Sequence, residues 1–219
     1  VREAVDGLEA ALLKRPDDPD LLYYLGQAHA RLSKQLFDRL RDGNPESART
    51  HELLGEAMAG SGNRDAAEKH FRAALAQRPD LRGVHYSLGE LYLASGDYEK
   101  AETEFRTEAK LAPGSAAAAF KLGFVLLNEG RVPEAVAELN RANALQPGMP
   151  ETLFELGRAL NASGDAGAAE KYLRQVIEAE RESALARSAH FQLAQAYRKL
   201  NRPDDADHEM KLFHDLRER

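Results

Sequence analysis

Asp204, Asp207 and His208 fall at i, i+3 and i+4 within PDDADHEMK, a spacing that places two carboxylates and an imidazole on one helical face, where they could hold a divalent metal. Arg202 and Lys211 flank them, which makes a solvated charged face the expected role. His51, His85 and His190 are residues of a type suited to proton transfer. Each stands four residues before the small residue of a leucine-small pair (HELLG, HYSLG, HFQLA), and that regularity assigns them to helix packing. GSGNRD, residues 60 to 65, has the glycines of a phosphate-cradling loop, but it joins two helical patterns and its glycines serve the turn. The sequence holds no HExxH, no phosphate loop and no Gly-x-Ser-x-Gly elbow. Cysteine is absent, which removes disulfides, thiolate zinc sites and a cysteine nucleophile, and leaves reducing and oxidising compartments both open. No catalytic residue, cofactor or metal is expected, and the compartment is undetermined.

The elements behind these residues are helical. Of the 219 residues, 43% are apolar and 30% charged, and no apolar run approaches the roughly 20 residues needed to cross a bilayer, so no membrane insertion is expected. The net charge of -6 and the lack of a Lys/Arg block argue against a nucleic-acid surface, which needs clustered cations to displace counterions. The chain begins at Val1 inside a helical pattern, VREAVDGLEAALL, with neither an initiator Met nor a signal-like segment, and is expected to be part of something longer.

A leucine followed by a small residue recurs at Gly26, Gly55, Gly89, Gly123, Gly157 and Ala194. The intervals from Gly55 to Gly157 are each 34 residues; the first is 29 and the last 37. Ten residues before five of these anchors stand Pro16, Pro45, Pro79, Pro113 and Pro147. Seven after come Gly62, Gly96, Gly130, Gly164 and Asn201, and twelve after come Ala67, Ala101, Ala135, Ala169 and Ala206. A mid-helix glycine costs about 1 kcal/mol relative to alanine, so its recurrence signals close backbone approach, with the alanine twelve residues on as the expected small partner. The second glycine falls where a helix stops in the left-handed conformation, which Asn201 also tolerates. Proline ends each unit, and Asp18, Ser47 and Ser115 can cap the helix that follows. Each unit reads as helix, tight turn, helix, short loop, and the fold as all-α.

The pattern resembles the tetratricopeptide repeat, a 34-residue helix-turn-helix unit. Residues 48 to 81 match best, through Gly55, Gly62, Ala67, Phe71, Ala74 and Pro79. The resemblance implies an α-α superhelix of antiparallel helix pairs. Residues 1–17 read as the second helix of an incomplete repeat, 18–47 as a shortened repeat, 48–81, 82–115 and 116–149 as regular repeats, 150–186 as an extended repeat and 187–219 as a terminal repeat and cap. In the cap, Met210, Phe213 and Leu216 share one stripe amid charge. The unpaired first helix suggests excision from a longer array, with contact to a second copy as the alternative.

In the resembling family, first helices line a concave groove through positions six and three before the anchor and one, four and five after it. Those offsets give Glu52, Glu56, Tyr86 and Glu90, then Phe120, Phe124, Leu127 and Asn128, then Phe154, Arg158, Asn161, Phe191, Gln195 and Arg198. The series runs acidic, apolar, basic and would orient an extended peptide, its apolar side chains on the phenylalanines and an acidic group near Arg158 and Arg198. No Lys or Asn occupies the positions three before or one after an anchor, so the clamp for acidic chaperone tails is not expected. The resemblance implies a non-enzymatic scaffold that binds a protein or peptide. Two other roles fit the same repeats: the recruitment arm of a larger enzyme such as a transferase, and an adaptor assembling through its ends.

Two departures stand out. Glu108 falls where other repeats place Ala74, Ala142 or Val176; a slight helix rotation is expected to expose it and bury Ala109. The short interval is the other. Between Ala28 and Arg41 there is no Gly, Pro or Asn, and Leu25, Ala28, Leu32, Leu36 and Leu40 keep one stripe, so a single helix is expected from about Asp20 to Arg41. Counting back from Pro45 puts Leu40, Phe37 and Ser33 at second-helix positions, and the missing residues are the turn. The groove is then expected in the regular repeats after Pro45.

Overall fold

The computed structural model describes residues 1–218, which form twelve helices and no strand. They are α1 (Arg2–Leu12), α2 (Pro19–Gly43), α3 (Ala48–Gly60), α4 (Arg64–Gln77), α5 (Val84–Ala94), α6 (Tyr98–Leu111), α7 (Ala116–Asn128), α8 (Val132–Leu145), α9 (Pro150–Ser163), α10 (Ala166–Glu180), α11 (Ala184–Lys199) and α12 (Pro203–Glu218). The helices pair antiparallel along the chain, and two compact units result, Val1–Val84 and His85 onward.

Local chemistry sets the ends. Asp18 accepts the backbone N–H groups of Asp20 and Leu21, Ser47 that of Thr50, and Ser115 that of Ala118, each satisfying donors with no partner inside the helix. Asn63, Asp97, Asp165 and Ser183 cap α4, α6, α10 and α11 in the same way. The turns inside the pairs need a left-handed residue. Gly62, Gly96, Gly130 and Gly164 lie at φ between 77° and 92°, and Asn201 takes the same role at φ 54°.

The recurring mid-helix glycines do allow close approach, but not to the alanines. A Cβ on Gly55 would lie 2.6 Å from the Phe71 ring, one on Gly89 2.6 Å from Phe105, one on Gly123 2.7 Å from Leu139 and one on Gly157 2.5 Å from Leu173. The close partner is the large side chain sixteen residues on, laid flat over bare helix backbone. Ala67, Ala101, Ala135 and Ala169 are fully buried, and none supplies the atoms nearest to an added Cβ.

In the N-terminal unit, α2 is one helix of 25 residues whose only buried side chain is Ala28. It packs on α1, whose one buried residue is Val5. Pairing of α3 with α4 is reinforced at its end by Gln77, whose Nε2 donates to the carbonyl of Glu46 at 2.6 Å. In the second unit the core runs through Leu122, Leu126, Leu139, Leu156, Leu173 and Leu193. Met210 packs against the α9–α11 core and Phe213 against Phe191, so α12 completes the last pair by covering α11.

Glu108 departs from expectation: it is 4% exposed beside Ala109 at 6%, so no rotation exchanges the two. Arg141 of α8 reaches this end of α6, its Nη2 donating to the carbonyls of Ala109 (3.3 Å) and Pro113 (2.8 Å).

The three histidines pack between the helices of a pair and also make polar contacts there. Nδ1 of His85 donates to Oε2 of Glu104 at 2.6 Å, and Nδ1 of His190 to Oε2 of Glu209 at 2.5 Å. His51 and His70 face each other Nδ1 to Nδ1 at 3.2 Å, so one imidazole donates and the other accepts. Asp204, Asp207 and His208 lie exposed on α12. Among the described residues no group of three or more His, Cys, Asp or Glu is arranged to hold a metal.

Candidate functional site

First helices of successive pairs in the second unit converge on an open cleft of about 430 Å³. Phe120 and Phe124 enter it from α7 and Phe154 from α9, with Leu93 of α5, Tyr98 at the start of α6 and Leu185 at the start of α11 completing the apolar wall. Lys121, Glu151 and Glu155 stand among them. A second depression of about 310 Å³ shares Phe154 and is lined by Arg158, Ser188, Phe191, Gln192 and Phe213. The helical period explains the convergence: positions three before and one after an anchor lie about 60° and 100° round the helix from it, so they share one flank of each first helix.

The charges are largely committed. Lys121 Nζ is 2.8 Å from Glu90 Oε1, and Arg158 donates to Glu155 Oε2 at 2.7 Å. Glu155 is buried, and desolvation pushes its carboxyl above the ordinary value despite the opposing Arg158 charge. Glu151, exposed on the first turn of α9, makes no ion pair among the described residues and is the unbalanced charge at the rim.

Of the sequence-derived groove residues, Phe120, Phe124, Phe154, Arg158 and Phe191 line these two depressions. Glu90 reaches the first only through Lys121. Tyr86 turns instead to Phe105, edge to ring at 5.6 Å. Leu127 packs against the core of Leu139, Leu156 and Ala159, while Asn128 is exposed and donates from Nδ2 to the carbonyl of Phe124 at 2.7 Å. Asn161 is 3% exposed and joins α9 to α11: its Nδ2 donates to the Gln192 carbonyl at 2.9 Å, and its own carbonyl accepts from Lys199 Nζ. Gln195 is half-buried and Arg198 exposed. Glu52 and Glu56 belong to the N-terminal unit, where Arg49 donates to Glu52 at 2.5 Å. Burial, and then the Glu52 charge, raise the Glu56 carboxyl above its ordinary value.

Several lining residues are absent from that series. Leu93 and Glu151 sit at groove offsets, four after and six before an anchor, and were readable on that basis. Lys121 and Glu155, each two before an anchor, belong to no groove offset. Leu185 comes from the lengthened last interval, whose extra residues carry no positional rule.

Antiparallel helix pairs, glycine-seated large side chains and an apolar cleft on the first helices define an all-α helical-repeat protein. The chain belongs to the tetratricopeptide repeat family: one family profile matches residues 1–35, 33–82 and 86–150, and a second matches residues 126–190. The family is one of protein-interaction scaffolds. Among solved structures the fold is similar to that of YrrB, described as a TPR protein with an unusual peptide-binding site, at 19% identity over 82% of this chain and 91% of that one (TM-score 0.75). It is also similar to a MamA protein, at 21% identity over 80% and 93% of the two chains (TM-score 0.72). MamA from Desulfovibrio magneticus RS-1, residues 41 to the end, gives 18% identity over 78% and 95% (TM-score 0.72). The search of curated proteins finds no match. No described helix is long and apolar enough to cross a membrane.

Proposed function

We propose that the chain is a non-enzymatic interaction module that seats an apolar side chain of a partner protein's peptide or helix in the cleft around Phe124. The observation that carries this is the convergence of Phe120, Phe124 and Phe154 on one solvent-open cleft, where three rings offer apolar area that the fold itself leaves uncovered. YrrB, of the same fold, is described as having a peptide-binding site. The rim adds a preference. With Lys121 and Arg158 held by Glu90 and Glu155, the free carboxylate of Glu151 favours a basic residue beside the apolar one. Phe154, common to both depressions, lets one segment engage them in succession, the second through Phe191 and Phe213.

Selection of a random peptide library on the whole chain, followed by titration of the selected peptides, tests the reading. Aromatic or large aliphatic residues flanked by Lys or Arg are expected. Phe124→Ala is expected to weaken binding at least tenfold, the scale of a buried aromatic anchor, and Glu151→Lys to weaken it for peptides that carry Lys or Arg beside the apolar residue. Affinities unchanged in both variants show that the cleft is not the binding surface.

A further inference from the structure

Four anchor glycines carry a large side chain seated over them, and a fifth does not. Gly26 holds the same repeat position as Gly55, Gly89, Gly123 and Gly157, yet a Cβ built on it meets nothing within 4 Å. The side chain that belongs there exists. Phe37 stands eight residues before Pro45, as Phe71, Phe105 and Leu139 stand eight before Pro79, Pro113 and Pro147. Those three are 1% exposed or less, whereas Phe37 is 48% exposed. With both on one straight α2, Phe37 and Gly26 are eleven residues or about 16 Å apart along the axis and cannot meet.

They do share a face. Leu22, Gly26, Ala30, Ser33 and Phe37 follow one another at helical spacing, and all are exposed, as is the neighbouring Tyr23 at 60%. α1 lies on the other side of α2, beside Tyr24, Gln27, Ala28 and Arg31. The free face is thus large and apolar at its two ends and small in its middle.

We propose that this face binds the α2 of a second copy of the chain, antiparallel, so that Phe37 of each copy covers Gly26 of the other. A two-fold axis midway between the two positions, at Arg31–Leu32, makes both contacts at once and sets Ala30 of one copy against Ser33 of the other, where small side chains let the backbones approach. Tyr23 then lies over Leu40 of the second copy. A second copy is the occupant because the unfilled glycine and the unseated phenylalanine are complementary under one symmetry operation. The contact restores between chains the packing that the other pairs make within one.

Sedimentation equilibrium of the whole chain over a wide concentration range tests this, with a mass tending to twice 24.2 kDa as the expected result. Gly26→Leu fills the open space without a clash in the single chain and is expected to weaken the dimer at least tenfold without lowering the helix content or melting temperature of the monomer. Phe37→Glu is expected to do the same. Because the chain has no cysteine, a mixture of Ala30→Cys and Ser33→Cys chains reports the geometry: oxidation is expected to give the mixed covalent dimer, and the exposed control Leu13→Cys is not expected to form one. A chain that stays monomeric at every concentration overturns the proposal, and so does a dimer that survives both Gly26→Leu and Phe37→Glu.

Discussion

His190 and Glu209, nineteen residues apart, meet between α11 and α12 with Nδ1 2.5 Å from Oε2, both residues less than 9% exposed. His85 and Glu104 stand at the same separation in α5 and α6, and His51 and His70 in α3 and α4. One structural position of the repeat is therefore a polar joint inside the helix pair.

Removing the imidazole strands a buried carboxylate. His190→Ala is expected to destabilise the chain by about 2 kcal/mol, within the range for leaving a buried polar group without its partner, read as a lowered melting temperature. His190→Gln, which can still donate, is expected to cost less. The more exposed His85–Glu104 pair, with side chains 13% and 21% exposed, is expected to respond more weakly to His85→Ala.

Glycines separate by what lies over them. Gly89→Ala places a Cβ 2.6 Å from the rigid, fully buried Phe105 ring and is expected to cost about 1–3 kcal/mol as overpacking. Gly7→Ala in α1, with nothing within 4 Å, is expected to gain about 1 kcal/mol from helix propensity. Melting temperatures moving in opposite directions check the pair; a loss at both positions removes the close-approach explanation.

Two carboxylates give opposite pH responses. At Glu102 burial acts upward, but the hydrogen bonds and charges of Arg106 (2.5 Å) and Arg131 (2.7 Å) outweigh it and hold the carboxyl below its ordinary value. Its stabilisation is present above the ordinary carboxylate pKa and lost as pH falls through the depressed one. Glu102→Gln is expected to flatten the acid side of a melting-temperature profile. Glu155 is raised, so its folded form is favoured at low pH and loses ground as pH rises from the ordinary value through the raised one. The stability of wild type relative to Glu155→Gln is expected to fall over that range.

Most of the fold was legible because its signals are local. The turn glycines, Asn201 and the caps at Asp18, Ser47 and Ser115 each act within a few residues, so their chemistry reads directly from the chain. The glycine partner was misread because a small residue was matched with a small one, whereas a bare helix surface best receives a flat ring or a leucine. Glu108 was misread because burial at this end of α6 depends on the helices packed against it, which no local pattern in the sequence states. In the cleft, Phe120, Phe124 and Phe154 were legible from repeat offsets, while Tyr86, Leu127 and Asn161 occupy similar offsets but turn to packing inside the fold. Offsets specify a helix face; which side chain on it meets a neighbour depends on that neighbour's size. The His–Glu joints went unread because their acidic partners sit on second helices among many other carboxylates.

The sixteen-residue span from each seated glycine to its Phe or Leu also sets how the chain can acquire its structure. Contacts that close over so few residues cost little loop entropy, so a helix pair can form as soon as its own residues are available, without waiting for distant segments. At α2 the glycine and phenylalanine lie along one rod, and no such closure occurs. The first 43 residues therefore lack a glycine-seated closure of their own, and order there must spread from the pair that follows.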